Sequence, residues 1–316
     1  MGVAGGRRGW RAFWALLGLM AAGLVGAVAW LGRAPECAGP PVPSPNGYDA
    51  FLAAGRLVAG VPADRRLDNA TDETLRAFLA ANGPAQAEAR RGLGLESVVP
   101  LGRMPSLEAH MADLGPIRAV WNLLDARMVL ARRAGPPAEA LAAALDLLRF
   151  AHGIEAGGLM LDRSLGLAFR RRALDGLAAA RLGEQSAADA RRAIAAIDRL
   201  DRAREPLAAV DARDAAFVVG RQGLQMRVIY ALNRKAMDAM KLPALRATGA
   251  SDAQLAAQSR RLIARLALQA YARDHPDAPR PPDLAALVPA YLPAIPTAPD
   301  GQPALLDDFP PEPTPE

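Results

Sequence analysis

The stretch "LARRAGPPAEALAAALDLLRF", residues 130–150, holds the end of one helical pattern and the start of the next. Gly135 with Pro136 and Pro137 stops the first, and Leu141, Leu145 and Leu148 then recur at the i, i+4, i+7 spacing of a helix face. Upstream, Ile117, Trp121, Leu124 and Met128 keep the same spacing while Arg118, Asn122 and Asp125 fall on another face, so Pro116 is expected to open an amphipathic helix. Downstream, "LAAARLGEQSAADARRAIAAIDRL", residues 177–200, has a similar layout. Gly183 takes the place of Gly135, Ala190, Ile194, Ile197 and Leu200 form the apolar stripe, and Asp198 and Arg202 can pair at i, i+4. The two stretches predict stacked helical hairpins, with small residues letting neighbouring helices approach closely.

The same reading extends to both sides. Pro206 is expected to start a helix reaching Lys241, with Pro243 and Gly249 breaking it. Ser251 and Gln254 then form a capping box for a last long helix, to about Asp274, whose inner face is Leu255, Leu262, Ile263, Leu266 and Ala270. Earlier in the chain, shorter patches fall over residues 48–58, 72–81 (Thr71 as N-cap) and 85–91, interrupted by Gly60, Pro62, Gly83 and Pro84. No strand-like alternation of useful length occurs, so the fold class is all-α.

Ahead of these lies an uncharged run, "AFWALLGLMAAGLVGAVAWLG", residues 12–32, preceded by Arg7, Arg8 and Arg11. A bilayer-crossing helix needs about 20 apolar residues. Trp10, Trp14 and Trp30 sit near its two ends, where amphipathic rings suit the headgroup region. The run reads as a transmembrane anchor, or alternatively as a cleavable signal ending at the "AVA" of residues 27–29. Both readings export the remainder, and with the anchor uncleaved the arginine asymmetry keeps the N-terminus in the cytoplasm, giving a single-pass inner-membrane protein with a periplasmic body. Residues 34–47, rich in proline and small residues, read as a semi-rigid linker. The lone cysteine, Cys37, cannot close an intramolecular disulfide.

Charge and motifs exclude more than they assign. Of the net charge of +5, three units belong to arginines of residues 1–32, leaving 5 − 3 = +2 for the exported part, too little for a nucleic-acid-binding surface. The only basic cluster, Arg170, Arg171 and Arg172, is read as a solvated helix face. There is no G-x-S-x-G, S-x-x-K, Walker-type loop or H-E-x-x-H. Of the three histidines, His152 and Glu155 have an i, i+3 spacing that could pair an imidazole with a carboxylate. His152 also continues the Leu148 stripe, which makes it a partly buried structural residue. In "EAHMAD", Leu107, Met111 and Leu114 are assigned to the core and Glu108, His110 and Asp113 to the polar face. No catalytic, cofactor-binding or metal-ligating residue is nominated, and no small-molecule ligand is evident.

The C-terminal part is punctuated by proline. Its marks are Tyr271, Pro276, Leu284, Leu287, Val288, Pro289, Tyr291, Leu292, Ile295, Pro296, Pro299, Gly301 and Pro303. This pattern resembles the C-terminal end of the pseudopilins of type II secretion and of other membrane-anchored helical bacterial proteins. The family's N-terminal processing site is missing, and Thr297 and Ala298 stand where the family often has an acid, which weakens any calcium site the resemblance implies. The large apolar residues among these prolines predict a folded cap laid along the last helix. The chain thus divides into residues 1–33 (stub and anchor or signal), 34–47 (linker), 48–274 (helical domain), 275–306 (cap) and 307–316 (a disordered acidic tail). Two function classes follow. One is a membrane-tethered extracytoplasmic helical scaffold that binds other envelope proteins, linked to secretion or envelope assembly. The other is an exported hydrolase using carboxylates brought together by the fold.

Overall fold

The computed structural model describes residues 39–60, 67–180, 185–221 and 233–297, together with Gly26. The expected anchor apart from Gly26, residues 34–38 of the expected linker and the acidic tail lie outside the described residues, whereas the rest of that linker lies on the body, with Pro40 against Gly157 and Asn46 buried on Val98. Among the described residues no helix is long and apolar enough to cross a membrane.

The described chain is helical throughout. Its helices are α1 (Gly47–Leu57), α2 (Asp72–Ala81), α3 (Gly83–Leu93), α4 (Leu107–Ala134), α5 (Pro137–Glu155), α6 (Met160–Ala179), α7 (Ala187–Arg202), α8 (Leu207–Arg221) and α9 (Arg234–Asp274). Side-chain caps begin several of them: Asn46 accepts from the Tyr48 N–H, Thr71 from Thr74, Ser106 from Ala109 and Ser186 from Asp189. Each satisfies a donor that the first helical turn leaves open.

Five proline or glycine positions act differently from the sequence expectation. Gly83 and Pro84 open α3 instead of separating two patches, because a proline in the first turn gives up only an N–H that has no partner there anyway. Pro116 lies inside α4, which starts at Leu107. The carbonyl deprived of its donor is that of Ala112, an exposed position where water can serve it. Pro243 and Gly249 likewise fall within the continuous α9, and Ser251 caps nothing because no helix starts there. Pro243 is exposed, so its lost hydrogen bond is not buried.

α4 and α5 form the expected hairpin, joined at Gly135, and α6 packs back along α5. The second expected hairpin does not form as such. α7 lies chiefly against α9 and α5 instead of against α6, and Gly183 lies outside the described residues. The result is a bundle, not a stack of repeated hairpins. Its core is continuous, running from Tyr48 and Phe51 of α1 through Leu148 and Phe150 of α5 to Leu287 and Leu292 of the C-terminal segment. A smaller cluster of Leu67, Leu75, Phe78, Leu123 and Val129 fixes α2 on α4.

The proline-punctuated segment belongs to this core. Leu284, Leu287, Tyr291 and Leu292 are buried, Asp283 accepts the Ala286 N–H over 2.9 Å in a single 3-10 turn (Ala285–Leu287), and the Tyr291 hydroxyl donates to Asp274 at the end of α9 over 3.0 Å. The Tyr291 ring meets Tyr271 edge to face, 5.7 Å between centroids, and the Arg191 guanidinium stands 5.3 Å from its centre. Arg260 donates to the Thr297 carbonyl over 2.9 Å. Ile295 departs from the expected cap core, being exposed.

Candidate functional site

Helices α4, α5 and α6 meet at a junction built around "HGIEAGG", residues 152–158. Gly153 lets α5 approach α1 and the loop after α3, since a Cβ there would come within 3.1 Å of both the Phe51 ring and the Ser97 side chain. Gly157 turns the chain with φ +69°, a conformation that costs a residue with a Cβ. Gly166 brings α6 against Glu155, whose side chain would lie 2.9 Å from a Cβ at that position.

That close approach buries an ionic cluster. Glu155 receives Arg163 from α6 (3.5 Å) and Arg204 from beyond α7 (3.3 Å). Both arginines also hold Asp252 of α9, Arg163 at 2.5 Å. Arg170, two turns further along the same face of α6 as Arg163, pairs with Asp201 and reaches the buried Ser259 hydroxyl over 3.1 Å. Glu155, Arg163 and Arg170 are all buried. Three guanidinium groups are therefore matched by three carboxylates from different helices, as a buried charge requires. Burial raises the Glu155 carboxyl above its ordinary range against the pull of Arg204, Arg163 and Arg170. Burial, with Arg204 nearby, lowers Arg170 to about 10.

The expected solvated arginine face is corrected here. Arg171 is exposed, but Arg170 is buried and Arg172 is half-buried against Asp125 (2.7 Å) and Asp68 (2.8 Å). Neighbouring residues on a helix point about 100° apart, so three in a row cannot share one face.

Beside the cluster opens a cleft of about 560 Å³ between α1, the loop after α3, α5 and the end of α7. Phe51, Leu93, Leu95, Val98 and Leu200 give it an apolar lining, and Glu96, Arg149, His152, Arg199 and Glu205 its charged and imidazole groups. Arg149 is anchored by Asp146 at 2.9 Å, and Arg199 is exposed. Glu205 is held by Arg213 and accepts the Gly157 N–H over 3.1 Å. Ser97 donates to the Gly153 carbonyl over 2.7 Å, so its hydroxyl is structural.

His152 has 22 % side-chain exposure on the cleft wall, and its Nδ1 is 3.9 Å from Glu155, outside hydrogen-bond range. Burial, then Arg170, Arg204, Arg163 and Arg199, lower its pKa to about 4. The imidazole is neutral at physiological pH. The i, i+3 spacing brings histidine and glutamate near each other, but arginines take the carboxylate. Among the described residues no group of three histidine, cysteine, aspartate or glutamate side chains could hold a metal ion.

The other histidine reading is reversed. His110 is fully buried and its Nε2 lies 2.9 Å from Asp162 Oδ2, while Leu107 and Met111 are 40 % and 53 % exposed. Starting α4 at Ser106 sets the phase that turns His110 inward, onto a carboxylate that also accepts the Leu159 N–H over 2.7 Å. Burial opposes charging His110, but the hydrogen bond and charge of Asp162, with Asp113 and Asp214 beyond, leave its pKa raised.

The cleft residues Arg149, Arg199 and Glu205 were not singled out from the sequence. The signal that could have found them is the glycine cluster after His152, which marks close backbone approach in a helical chain. Comparison with protein-family models, curated proteins and solved structures finds no match.

Proposed function

We propose that the chain is a membrane-tethered extracytoplasmic scaffold that binds other envelope proteins through the cleft beside His152. The observation that carries this reading is the cleft's chemistry: an apolar floor under arginine side chains, with the acids of the inner wall and its surroundings held by arginines and one exposed acid, Glu96, among the lining residues. Glu155, Asp201, Glu205 and Asp198 each sit on an arginine. General acid or base work needs a carboxylate poised to exchange a proton with a bound substrate, and a carboxylate locked against guanidinium is not. An apolar side chain flanked by an acidic residue fits such a lining, with the apolar group on Phe51 and Leu200 and the acid between Arg149 and Arg199. This is the arrangement of a protein-binding pocket with a buried anchor and a charged rim.

The anchor part of the proposal rests on residues 12–32 and the arginines before them, and the pseudopilin-like C-terminal pattern suggests an envelope setting. The cleft opens next to Pro40, close to where the described chain begins, so it stays near the membrane end of such a tether.

The test is site-specific photo-cross-linking in cells, with the reactive group replacing Leu95 at the rim. Cross-links to membrane or periplasmic proteins that vanish with Arg149→Glu and Arg199→Glu, in a chain still folded by circular dichroism, are the expected result. Cross-links unchanged by charge reversal would contradict the proposal.

A further inference from the structure

The large apolar side chains exposed among the described residues are not scattered. Leu107 and Met111 start α4, Leu161 starts α6, and Met240 and Leu242 lie in the first part of α9, with exposures between 39 % and 68 %. Polar contacts tie these places together. His110, beside Met111, holds Asp162, beside Leu161. Asp214 of α8 accepts the Met160 N–H over 3.3 Å and pairs at 3.7 Å with Lys241, which lies between Met240 and Leu242. The five side chains therefore occupy one end of the bundle. Ile295, in the C-terminal cap, is a separate case, and Leu57 ends α1, whose Arg56 reaches Asp113 on α4 at 3.7 Å.

Gly39 and Pro40, which follow the expected anchor, also lie at this end. A Cβ added at Gly39 would lie 4.0 Å from the Gly157 carbonyl, and Pro40 packs on Gly157, in the turn between α5 and α6. Seven peptide links separate Gly39 from Gly32, the end of the apolar run, and even fully extended they span at most about 25 Å. An anchor in residues 12–32 thus holds this end of the bundle, and no other, within reach of the bilayer surface. Apolar side chains facing water there would lose contact that the acyl boundary offers.

We propose that Leu107, Met111, Leu161, Met240 and Leu242 rest in the interfacial zone of the membrane that anchors the chain, fixing the bundle upright with the cleft to one side. The inference depends on the anchor reading above. Exposed charges near these side chains are of both signs, Glu108 on α4 and Lys235 on α9, so the contact rests on apolar burial and not on headgroup charge.

The experiment uses the full chain in phosphatidylcholine vesicles. Cys37→Ala removes the native thiol, and Met111→Cys, Leu161→Cys or Ala138→Cys carries an environment-sensitive fluorophore, Ala138 lying at the opposite end of the α4–α5 hairpin. The expected result is blue-shifted emission at positions 111 and 161, quenched when the acyl chains are brominated, with neither change at 138. Water-like emission at 111 and 161 in a chain that resists alkaline carbonate extraction would leave the anchor standing and overturn the membrane contact. A blue shift without bromine quenching would show that protein, not lipid, covers these residues, and would overturn it too. Release of the chain by carbonate would remove the anchor and the inference together.

Discussion

At His152 the protein keeps an imidazole neutral beside four arginines, and stability should carry that signature. In the fold its pKa is about 4, against an ordinary 6.5. Below pH 6.5 the unfolded chain binds the proton and the folded one does not, so the contribution is complete above that value and is lost as pH falls toward 4. Its size is on the order of a few kcal/mol. The difference in stability between wild type and His152→Gln, from denaturant titrations, should therefore change as pH falls from 6.5 toward 4, with the wild type losing more. Parallel curves for the two chains would show that the ring is not held neutral. His110 has the opposite sign. Its raised pKa stabilises the fold fully below the ordinary histidine value and is lost as pH rises through the shifted one, so Asp162→Asn should flatten stability on that alkaline side.

At the scale of helices, α6 is held from within by charge. Arg163→Leu would leave Glu155 and Asp252 short of a partner in a buried setting, a loss of about 3–5 kcal/mol by analogy with other broken buried pairs. A Tm unchanged within error would mean that the cluster is solvated. The sequence disclosed the faces whose apolar spacing is regular. Ile194, Ile197 and Leu200 of α7, and Leu255, Leu262 and Leu266 of α9, are buried as their periods predict. It misled where one residue type has two meanings. Leu107 and Met111 have the spacing of a core stripe, yet an inward histidine on a carboxylate competes for that side, and spacing alone does not rank the two. Arg170 shows the same ambiguity, since a partner such as Asp201, 31 positions away, leaves no local mark. The cleft was illegible for a similar reason: its arginines, glycines and leucines come from helices far apart in the chain.

At the scale of the whole molecule, the C-terminal segment completes the core that α1 begins. Because Leu287 shares that core, Leu287→Ala should destabilise the whole domain by about 2–5 kcal/mol in one unfolding transition. Loss of the segment alone, seen as proteolysis near Arg280 with the helical melt unchanged, would show that it is an independent strap. The larger proposal, a helical body tethered outside the membrane, stands on the apolar run and the position of Gly39. The most direct measurement is a pair of fusions after Glu316, one to a reporter active only in the periplasm and one to a reporter active only in the cytoplasm. Activity of the periplasmic reporter alone, in the membrane fraction, is the expected result. A silent periplasmic reporter with an active cytoplasmic one would contradict the tethered, extracytoplasmic scaffold outright.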